Sequence, residues 1–265
     1  MCELYLSSAS APHFPETELR QLQRHGGSPW TNLQGWGAAW LQGKGPDAGF
    51  GLEKHPQPAL GAVGYQGILR DANHSPVWLI HLRAASSGGV SRANTQPYRF
   101  AWPEHEGPHA SAPSSHPQRR GAFMHNGELK KMQARLIERF GEDPRHGTAD
   151  SEGGMILLRD ALAAVDTAEA AWGVFGNWVD AMRAMGQANF IVALGRDVFA
   201  HSHRRTELGG SAPDDTGLFM GHDDGEDGDR LRLSSEPFAD DDEPLSNGTL
   251  LWIRDGAVVR RGVTV

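Results

Sequence analysis

The only cysteine of the sequence, Cys2, lies next to Met1. The thiolate is the nucleophilic form of cysteine, and an ordinary thiol with a pKa of about 8.5 is only partly ionised at neutral pH. If Met1 is removed, residue 2 also has a free α-amine with a pKa of about 7.7–8.0, which can accept the thiol proton and later return it to a leaving group. An N-terminal cysteine can therefore combine nucleophile and base. Position alone would still favour an incidental small residue.

The segment FMHNGEL (123–129) contains a second group of residue types that could do chemistry. The side-chain amide of Asn126 and the backbone N–H of Gly127 could both donate hydrogen bonds to a developing oxyanion, and each such donor can raise a rate by about 10² to 10³. An Asn-Gly pair also favours a hairpin turn, but we predict a helix directly after it, which disfavours a simple hairpin. Taken alone, the pair is a weak indication of catalysis.

Two charged side chains could bind an α-amino acid. Arg83 lies near the end of a strand that we expect to be buried, where a guanidinium is costly without an anion. It forms either a structural salt bridge or, with the hydroxyl of Ser86, a bidentate site for a carboxylate. Asp150 precedes an apolar helix and would act as its N-cap or bind an ammonium group. His81, on the same strand as Arg83, is interpreted as a core histidine rather than a catalytic base.

The composition excludes several classes of protein. The net charge is −8 and the arginines are scattered, which argues against a general nucleic-acid binder. A single cysteine excludes an internal disulfide framework and a Cys-rich zinc site. The N-terminus has no basic segment followed by an apolar run, and no stretch approaches the roughly 18 to 20 apolar residues of a membrane span. We therefore expect a cytoplasmic protein that binds neither nucleic acid nor membranes.

No metal or cofactor site is expected. The acidic segment 221–230, GHDDGEDGDR, fails the ligand pattern of a calcium-binding EF-hand loop and is interpreted as a solvated acidic loop. The histidines of segment 102–120 lack zinc-type spacing with Cys or Glu partners. The glycines of GAVGYQG (61–67) do not support a dinucleotide fingerprint, because we predict no helix after them.

The helices that would position these residues are predicted from the spacing of their apolar residues. The first spans 17–27, with Thr17 as a possible N-cap. A second, amphipathic helix spans 127–141 and ends at a glycine. Two further helices are predicted over about 151–165 and 167–185.

Strands are predicted before and after these helices. They include an N-terminal strand, a turn that leads into a strand over 33–41, and a strand over 77–86 that is apolar on both faces. The last third is predicted to form strands and to end in a hairpin that turns at Asp255-Gly256. Strands followed by helices and then strands again indicate an α+β fold. We interpret 2–265 as one domain and 102–120 as a surface loop within it.

Six motifs in order resemble those of the class II glutamine amidotransferases, which belong to the N-terminal nucleophile hydrolases. The motifs are Cys2 at the processed N-terminus, QGWGAAW, HLRAASSGG followed by NTQPY, FMHNGEL, TADSE and SSEPF. The resemblance extends from residue 2 to about residue 260. It is closest to the stand-alone members, which often begin MCEL and include the γ-glutamyl hydrolase of ergothioneine synthesis and the amidotransferase subunit of a glutathione-degrading complex. The resemblance implies a four-layer α-β-β-α sandwich.

The resemblance also implies a reaction. Cys2 would attack the side-chain amide of glutamine or of a γ-glutamyl compound and form a thioester, and Asn126 and Gly127 would form the oxyanion hole. The products would be glutamate and ammonia or an amine. Either a separate synthase or peptidase subunit would accept the product, or the chain would be a free-standing γ-glutamyl hydrolase.

The same resemblance implies a set of binding residues. Arg83 and Ser86 would hold the α-carboxylate of the substrate, and Asp150 would hold its α-ammonium. Trp36 and Gly37 would lie on the pocket wall near the nucleophile.

Two motifs depart from the pattern of the family. The usual Asp-Gly-Trp-Gly begins with Gln34 here, and the usual Asn-x-His-Pro has Gln96 in place of its histidine. These changes concern substrate identity and local architecture more than amide cleavage. The change at Gln34 is the best support for an alternative function, a non-catalytic subunit that binds glutamine or a γ-glutamyl compound and regulates a larger complex.

Overall fold

Two antiparallel sheets and five helices make up the part of the chain that our computed structural model describes. The described residues are 2–28, 32–44, 48–85, 88–102, 119–203, 217–225 and 228–264. The helices are α1 (Glu16–His25), α2 (Val63–Asp71), α3 (Met132–Phe140), α4 (Asp150–Leu162) and α5 (Ala168–Arg183).

Each sheet combines strands that are far apart in the chain. The strands of sheet A are β1 (Glu3–His13), β2 (Trp36–Gln42), β3 (Gly49–His55), β4 (Ser75–Leu82), β9 (Phe219–Gly225), β10 (Gly228–Ser234) and β11 (Glu243–Pro244). Their spatial order in the described part is β11-β9-β10-β1-β4-β2-β3. The strands of sheet B are β5 (Tyr98–Trp102), β6 (Arg119–Leu129), β7 (Gly186–Leu194), β8 (Asp197–His201), β12 (Thr249–Arg254) and β13 (Ala257–Val263). Their order is β13-β12-β8-β7-β6-β5.

Three apolar cores separate four layers. The inner faces of the two sheets pack together through side chains such as Leu4 and Leu79 of sheet A and Met124 of sheet B. Helices α1 and α2 cover the outer face of sheet A, where Leu19 and neighbouring apolar residues are fully buried. Helices α4 and α5 cover the outer face of sheet B. Since each sheet buries both faces, its central strands can be continuously apolar. The expected four-layer α-β-β-α arrangement is confirmed.

The register of sheet A places Cys2 beside Arg83. Glu3 pairs with Leu82 in the β1–β4 ladder, and Trp36 pairs with Leu82 on the other side of β4. Cys2 and Arg83 are the next residues beyond these pairs, at the same end of the sheet. In sheet B, Asn126 of β6 pairs with Asn189 of β7. These registers determine which residues can form a site.

Most of the predicted elements are present. The N-terminal strand, the strand after 33–41, the buried strand near 77–86 and the two helices α4 and α5 are all observed. The closing hairpin turns where expected, since Asp255 and Gly256 have φ values of 54° and 80°. Two consecutive residues with positive φ are typical of the type I′ turn that Asn-Gly and Asp-Gly favour.

Three expectations about the positions of helices, strands and loops were wrong. The helix predicted over 127–141 begins only at Met132, because 127–129 extend β6. Helix α2 begins inside GAVGYQG, where we expected no helix, although the strand before it ends at His55. The acidic segment 221–230 contributes to β9 and β10 instead of forming a loop, and Asp223 pairs with Arg230 and Arg232.

The first helix has a different N-terminus from the one we predicted. The N-cap position of α1 is Pro15, and it makes no side-chain capping bond, so Thr17 lies inside the helix.

Of the predicted loop 102–120, residues 103–118 lie outside the described residues, and the interpretation of 2–265 as one domain stays a prediction. Among the described helices, none combines the length and apolar character needed to cross a membrane.

Candidate active site

The thiol of Cys2 is hydrogen-bonded to the backbone of Ala84, two residues beyond the end of β4. The N–H of Ala84 donates to Sγ at 3.3 Å, and the thiol donates to the carbonyl oxygen of Ala84 at 3.3 Å. Burial raises the pKa of the Cys2 thiol, while the Ala84 N–H and the Arg83 charge oppose that effect in part. The thiol is therefore mainly protonated at neutral pH, and its reaction as a nucleophile requires a base.

Asn126 brings a hydrogen-bond donor to the same place. Its Nδ2 donates to the carbonyl oxygen of Cys2 at 2.7 Å. The neighbouring strand fixes its backbone, because Nδ2 of Asn189 donates to the carbonyl oxygen of Asn126 at 3.3 Å. Asn189 is itself held by the N–H of His203, which donates to Oδ1 at 2.7 Å. The amide of Asn126 thus lies next to the residue that would attack a substrate.

Gly127 follows Asn126 in a backbone conformation that side chains rarely adopt. Its φ is 151°, and a Cβ at this position would lie 2.1 Å from the carbonyl oxygen of Gln187. Such a distance is far inside van der Waals contact, so only glycine fits without displacement of β7. Asn126 and Gly127 therefore form an irregular part of strand β6 and not a hairpin turn.

Arg83 is buried and its guanidinium is directed toward a loop. NH1 donates to the carbonyl oxygen of Gly89 at 3.0 Å, and NH2 donates to that of Gly88 at 3.2 Å. The side chain is only 4% exposed. These two hydrogen bonds to backbone carbonyl oxygens hold the guanidinium of Arg83 against the 88–89 loop. Ser86, its expected companion, lies outside the described residues.

Asp150 starts helix α4 beside the end of β6. The N-cap position belongs to Ala149, so the alternative of Asp150 as N-cap is wrong. Oδ2 of Asp150 accepts a hydrogen bond from the N–H of Leu129 at 2.6 Å, two residues beyond Gly127. The carboxylate therefore lies at the same end of the molecule as Cys2 and Asn126, and it adds to the effect of burial in raising the pKa of the Cys2 thiol.

Asn94 joins the loop that holds Arg83 to the start of α4. Its Oδ1 accepts hydrogen bonds from the N–H groups of Thr148, at 2.7 Å, and Ala149, at 3.0 Å. Its Nδ2 donates to the carbonyl oxygen of Gly89 at 2.9 Å. Sequence reasoning assigned no role to Asn94, although the residue belongs to one of the six motifs.

Gln34 and Gln96, which depart from the expected motifs, both form hydrogen bonds with backbone groups near the site. Oε1 of Gln34 accepts a hydrogen bond from the N–H of Ala85. Oε1 of Gln96 accepts from the N–H of His125 at 2.6 Å, and its Nε2 donates to the carbonyl oxygen of His125 at 3.0 Å. Gln34 thus supports the segment beside Cys2, and Gln96 supports the strand just before Asn126.

Trp36, which we expect on the pocket wall, packs in the apolar core on the outer face of sheet A. It is fully buried in the core beneath α1 and α2, with its ring 4.9 Å from that of Tyr65 and 5.4 Å from that of His55. That core lies on the outer face of sheet A, away from the inner face. Gly37, the next residue of β2, lies against the backbone of Gln96, since a Cβ at Gly37 would lie 2.1 Å from the carbonyl oxygen of Gln96.

His81 is a core residue, as expected. It is fully buried, and burial together with the nearby Arg83 charge lowers its pKa to about 3. An imidazole with such a pKa stays neutral at physiological pH. Among the described residues, no group of three or more His, Cys, Asp or Glu side chains is arranged to hold a metal ion.

Together these residues form a set suited to acyl transfer. A thiol, an amide donor, a buried guanidinium and a carboxylate meet at one end of the two sheets, and polar side chains on adjoining loops fix the backbone around them. A nucleophile beside a hydrogen-bond donor is the requirement for forming and stabilising a tetrahedral intermediate.

Comparisons with a family model and with a curated relative both match this chain to glutamine amidotransferases. A family model described as class II glutamine amidotransferases matches residues 1–213. The protein YafJ of Escherichia coli (strain K12), which has a provisional assignment as a glutamine amidotransferase, is 25% identical over 210 residues. That match covers 76% of this chain and 72% of YafJ.

Solved structures share the fold. A predicted glutamine amidotransferase from Pseudomonas aeruginosa PA01 has a TM-score of 0.59 and 20% identity, covering 98% of this chain and 100% of that one. Glutamine phosphoribosylpyrophosphate amidotransferase from B. subtilis has a TM-score of 0.63 and 16% identity, covering 99% of this chain. The chain spans about half, 49%, of the length of the B. subtilis enzyme.

Proposed function

Because the chain belongs to the class II glutamine amidotransferases, we propose that it hydrolyses the γ-amide of glutamine or a γ-glutamyl compound through a thioester on Cys2. Membership of the family supports hydrolysis of the glutamine amide in general. The observation that best supports the finer proposal is the hydrogen bond of 2.7 Å from Asn126 Nδ2 to the carbonyl oxygen of Cys2. It supports the proposal because a side-chain amide then lies beside the backbone of the residue that carries the only thiol of the chain.

The first half of the reaction requires that Met1 has been removed. The α-amine of Cys2 takes the thiol proton while Sγ forms a bond to the amide carbon, and the π electrons of the carbonyl move to its oxygen. The side-chain amide of Asn126 and the N–H of Gly127 stabilise that oxyanion. A base is needed because burial raises the pKa of the thiol.

The second half releases the two products. When the tetrahedral intermediate collapses, the C–N bond breaks and the α-ammonium of Cys2 protonates the departing nitrogen. Ammonia or an amine leaves, and a thioester remains. Water then attacks the thioester with the α-amine as base, the C–S bond breaks, and the thiol is restored as glutamate leaves.

Substrate recognition in this proposal uses the charged residues around Cys2. The guanidinium of Arg83 binds the α-carboxylate, and Asp150 binds the α-ammonium. Ser86 stays a predicted partner of the carboxylate. Gly37 lies beside the Gln96 backbone, close to the group, and Trp36 supports the sheet from its outer face.

The proposal has two versions, which differ in the fate of the nitrogen that leaves the amide. In one, ammonia passes to a separate synthase or peptidase subunit. In the other, the chain is a free-standing γ-glutamyl hydrolase that releases an amine. Rates of ammonia release from glutamine alone, compared with rates of amine release from γ-glutamyl conjugates, distinguish these versions.

A non-catalytic regulatory subunit is the alternative function. Its main support was the replacement of an acidic residue by Gln34, but the Gln34 side chain has a structural partner in the Ala85 N–H. The carbonyl oxygen of the uncharged Gln34 amide accepts that bond in place of a carboxylate, so the replacement is compatible with catalysis.

Turnover of glutamine by the isolated protein tests the proposal. Glutamate release is measured with the Met1-free protein and with Cys2→Ala, and glutamine binding to both is followed by calorimetry. We expect turnover by the wild type and none above background for Cys2→Ala. Glutamine binding without turnover by the wild type would favour the regulatory subunit.

A further inference from the structure

The imidazole of His125 joins strand β6 to the facing strand β7 across Gly127. Its Nε2 lies 3.0 Å from the carbonyl oxygen of Gln187. Because a carbonyl oxygen can only accept a hydrogen bond, Nε2 carries the proton and donates. A Cβ on Gly127 would lie 2.1 Å from the Gln187 oxygen and 2.8 Å from Nε2 of His125. The donor and the acceptor of this bond therefore occupy the space that a side chain at position 127 would need.

A second hydrogen bond fixes the other nitrogen of the ring. Nδ1 of His125 lies 2.9 Å from Oγ of Ser151, in the first turn of α4. Since Nε2 carries the proton of the neutral ring, Nδ1 accepts and the Ser151 hydroxyl donates. The hydroxyl oxygen in turn accepts from Nε2 of Gln96 at 3.2 Å. The donors and acceptors of this chain match, so the chain selects one tautomer of His125.

Burial keeps the ring of His125 neutral. The residue is only 1% exposed, and its ring stacks on that of Phe190 with the centroids 4.9 Å apart. Burial lowers the pKa of His125, an effect that the Asp150 charge and the Gln187 carbonyl group oppose in part. A neutral imidazole has a single N–H, which the Gln187 carbonyl oxygen accepts. The ring thus has one position and one protonation state.

The first turn of α4 holds β6 on both sides of the candidate oxyanion donors. The Ser151 hydroxyl bonds to the ring of His125, and the Asp150 carboxylate accepts from the N–H of Leu129. Gly127 lies between these two fixed points on the strand. The backbone of this stretch is therefore set by contacts on either side of it, to which the bond from His125 to β7 is added.

His125 acts from the face of sheet B opposite to the nucleophile. Its ring packs on Phe190, which belongs to the core beneath α4 and α5. The next residue, Asn126, donates instead to the carbonyl oxygen of Cys2. Adjacent residues of a strand have opposite faces. An effect of His125 on a reaction at Cys2 would therefore pass through the backbone of residues 126–127.

We propose that His125 is a positioning residue for the oxyanion hole, whose Nε2–H bond to Gln187 holds the Gly127 backbone so that its N–H is directed at the oxyanion. This inference rests on the proposed function and deepens it. A donor stabilises the transition state most when it is already directed at the place where charge develops. Loss of the bond therefore lowers kcat more than it changes KM.

Two replacements of His125 test the inference. His125→Gln places an amide nitrogen where Nε2 of the ring lies and can keep the bond to Gln187. His125→Asn ends at the position of Nδ1, so it loses the donor to Gln187 but can still bond to Ser151. His13→Asn is the matched control, because Nε2 of His13 lies 2.6 Å from Oγ of Ser7, at the opposite end of β1 from the nucleophile.

The expected result separates kcat from KM. His125→Asn lowers kcat for glutamine about ten- to hundredfold with KM within about threefold of the wild type, and His125→Gln keeps kcat within about threefold. His13→Asn leaves both parameters unchanged. An unchanged kcat in His125→Asn, a rise in its KM alone, or equal losses of kcat in the two His125 variants would overturn the inference.

The tautomer of His125 gives a readout that needs neither turnover nor a folded variant. Long-range ¹H–¹⁵N NMR spectra of the wild type, with the ring assigned through the backbone, distinguish a proton on Nε2 from one on Nδ1. We expect the proton on Nε2, and a proton on Nδ1 would overturn the inference alone. A wild type that neither hydrolyses glutamine nor binds it would instead overturn the proposed function, and with it the inference built on it.

Discussion

The thiol of Cys2 is bonded to both the N–H and the carbonyl oxygen of Ala84, each at 3.3 Å. This contact restricts the direction of Sγ before any substrate binds. The same burial that orders the thiol also raises its pKa, so the ordered group is mainly uncharged at neutral pH. A thiol held in this state depends on the neighbouring α-amine to become a nucleophile.

The pH dependence of alkylation tests the state of the thiol. We expect iodoacetamide to modify Cys2 more slowly at neutral pH than it modifies a free cysteine, and the rate to keep rising above the ordinary thiol pKa of about 8.5. The sign follows from burial, which disfavours the thiolate and raises the pKa. Since Cys2 is the only cysteine, intact mass measures the modification directly. A midpoint below the ordinary thiol value would contradict the expected direction.

The backbone conformation of Gly127 predicts that a side chain at this position lowers the free energy of unfolding. Gly127→Ala should lower the free energy of unfolding by at least about 2 kcal/mol, because φ is 151° and the added Cβ would meet the Gln187 carbonyl oxygen at 2.1 Å. Gly173, inside α5, is the control, since a Cβ there has no neighbour within 4 Å in the described structure. Gly173→Ala should be neutral or stabilising by up to about 1 kcal/mol. Urea unfolding of both variants measures the difference, and equal effects would contradict the account.

At the scale of elements, polar side chains on irregular segments position the charged residues. Asn94 joins the 88–89 loop to the residues that precede α4, and Gln96 joins its own loop to β6 at His125. Arg83 and Asp150 come from different elements, and their spacing depends on these bonds. Specific hydrogen bonds therefore help to order the loops of the site.

Removal of the Asn94 side chain should affect binding more than turnover. Asn94→Ala loses the bonds to Gly89, Thr148 and Ala149, so we expect the KM for glutamine to rise about tenfold or more and stability to fall by about 1–3 kcal/mol. Ser75→Ala is the control, because its buried Oγ donates to the Leu41 carbonyl oxygen in another part of sheet A. Its stability should fall with no change in KM. If both variants raise KM equally, Asn94 has no special relation to the site.

The sequence predicts elements with strong periodicity and misses those without it. The largely apolar β4 and the helices α4 and α5 are predicted close to their observed bounds. Strand β3 has the sequence GFGLEKH, whose glycines and charges disfavour a strand when it is considered alone. The last residues of β6 were assigned to a helix because Leu129 continues the apolar spacing of α3. Pairing with β7 overrides that local pattern.

Residues of the site were predictable where they belong to ordered motifs. Cys2, Arg83, Asn126, Gly127 and Asp150 were named from motifs, and the structure brings their segments to one end of the sheets. Asn94 binds Thr148 and Gln34 binds Ala85, each more than 50 residues away along the chain, so no local pattern indicates these bonds. Trp36 and Gly37 are adjacent on β2, and adjacent residues of a strand occupy opposite faces of a sheet, so the prediction that both lie on the pocket wall stays to be tested.

At the scale of the whole molecule, the C-terminal strands complete both sheets. Strand β10 pairs with β1, and β12 pairs with β8, although the matching family model ends at residue 213. Buried residues of β10 and β12, among them Leu231 and Ile253, belong to the core between the sheets. These contacts support the proposal that residues 2–265 form one domain.

Truncation tests the proposal of one domain. A chain that ends at residue 213 lacks β9 to β13, leaving β1 and β8 with unpaired edges and the inner core open. We expect this chain to lose cooperative unfolding in urea, while the full chain unfolds in one transition by both tryptophan fluorescence and circular dichroism. Cooperative unfolding of the truncated chain would contradict the proposal.

Labelling by 6-diazo-5-oxonorleucine, a reactive glutamine analogue, tests the central claim most directly. Intact mass first establishes that Met1 is absent, and peptide mapping then locates any adduct, with Cys2→Ala and glutamine protection as controls. We predict one adduct per chain, on Cys2, that forms more slowly in the presence of glutamine and is missing in Cys2→Ala. A Met1-free protein that acquires no adduct on Cys2 would contradict the claim that this thiol attacks the glutamine amide.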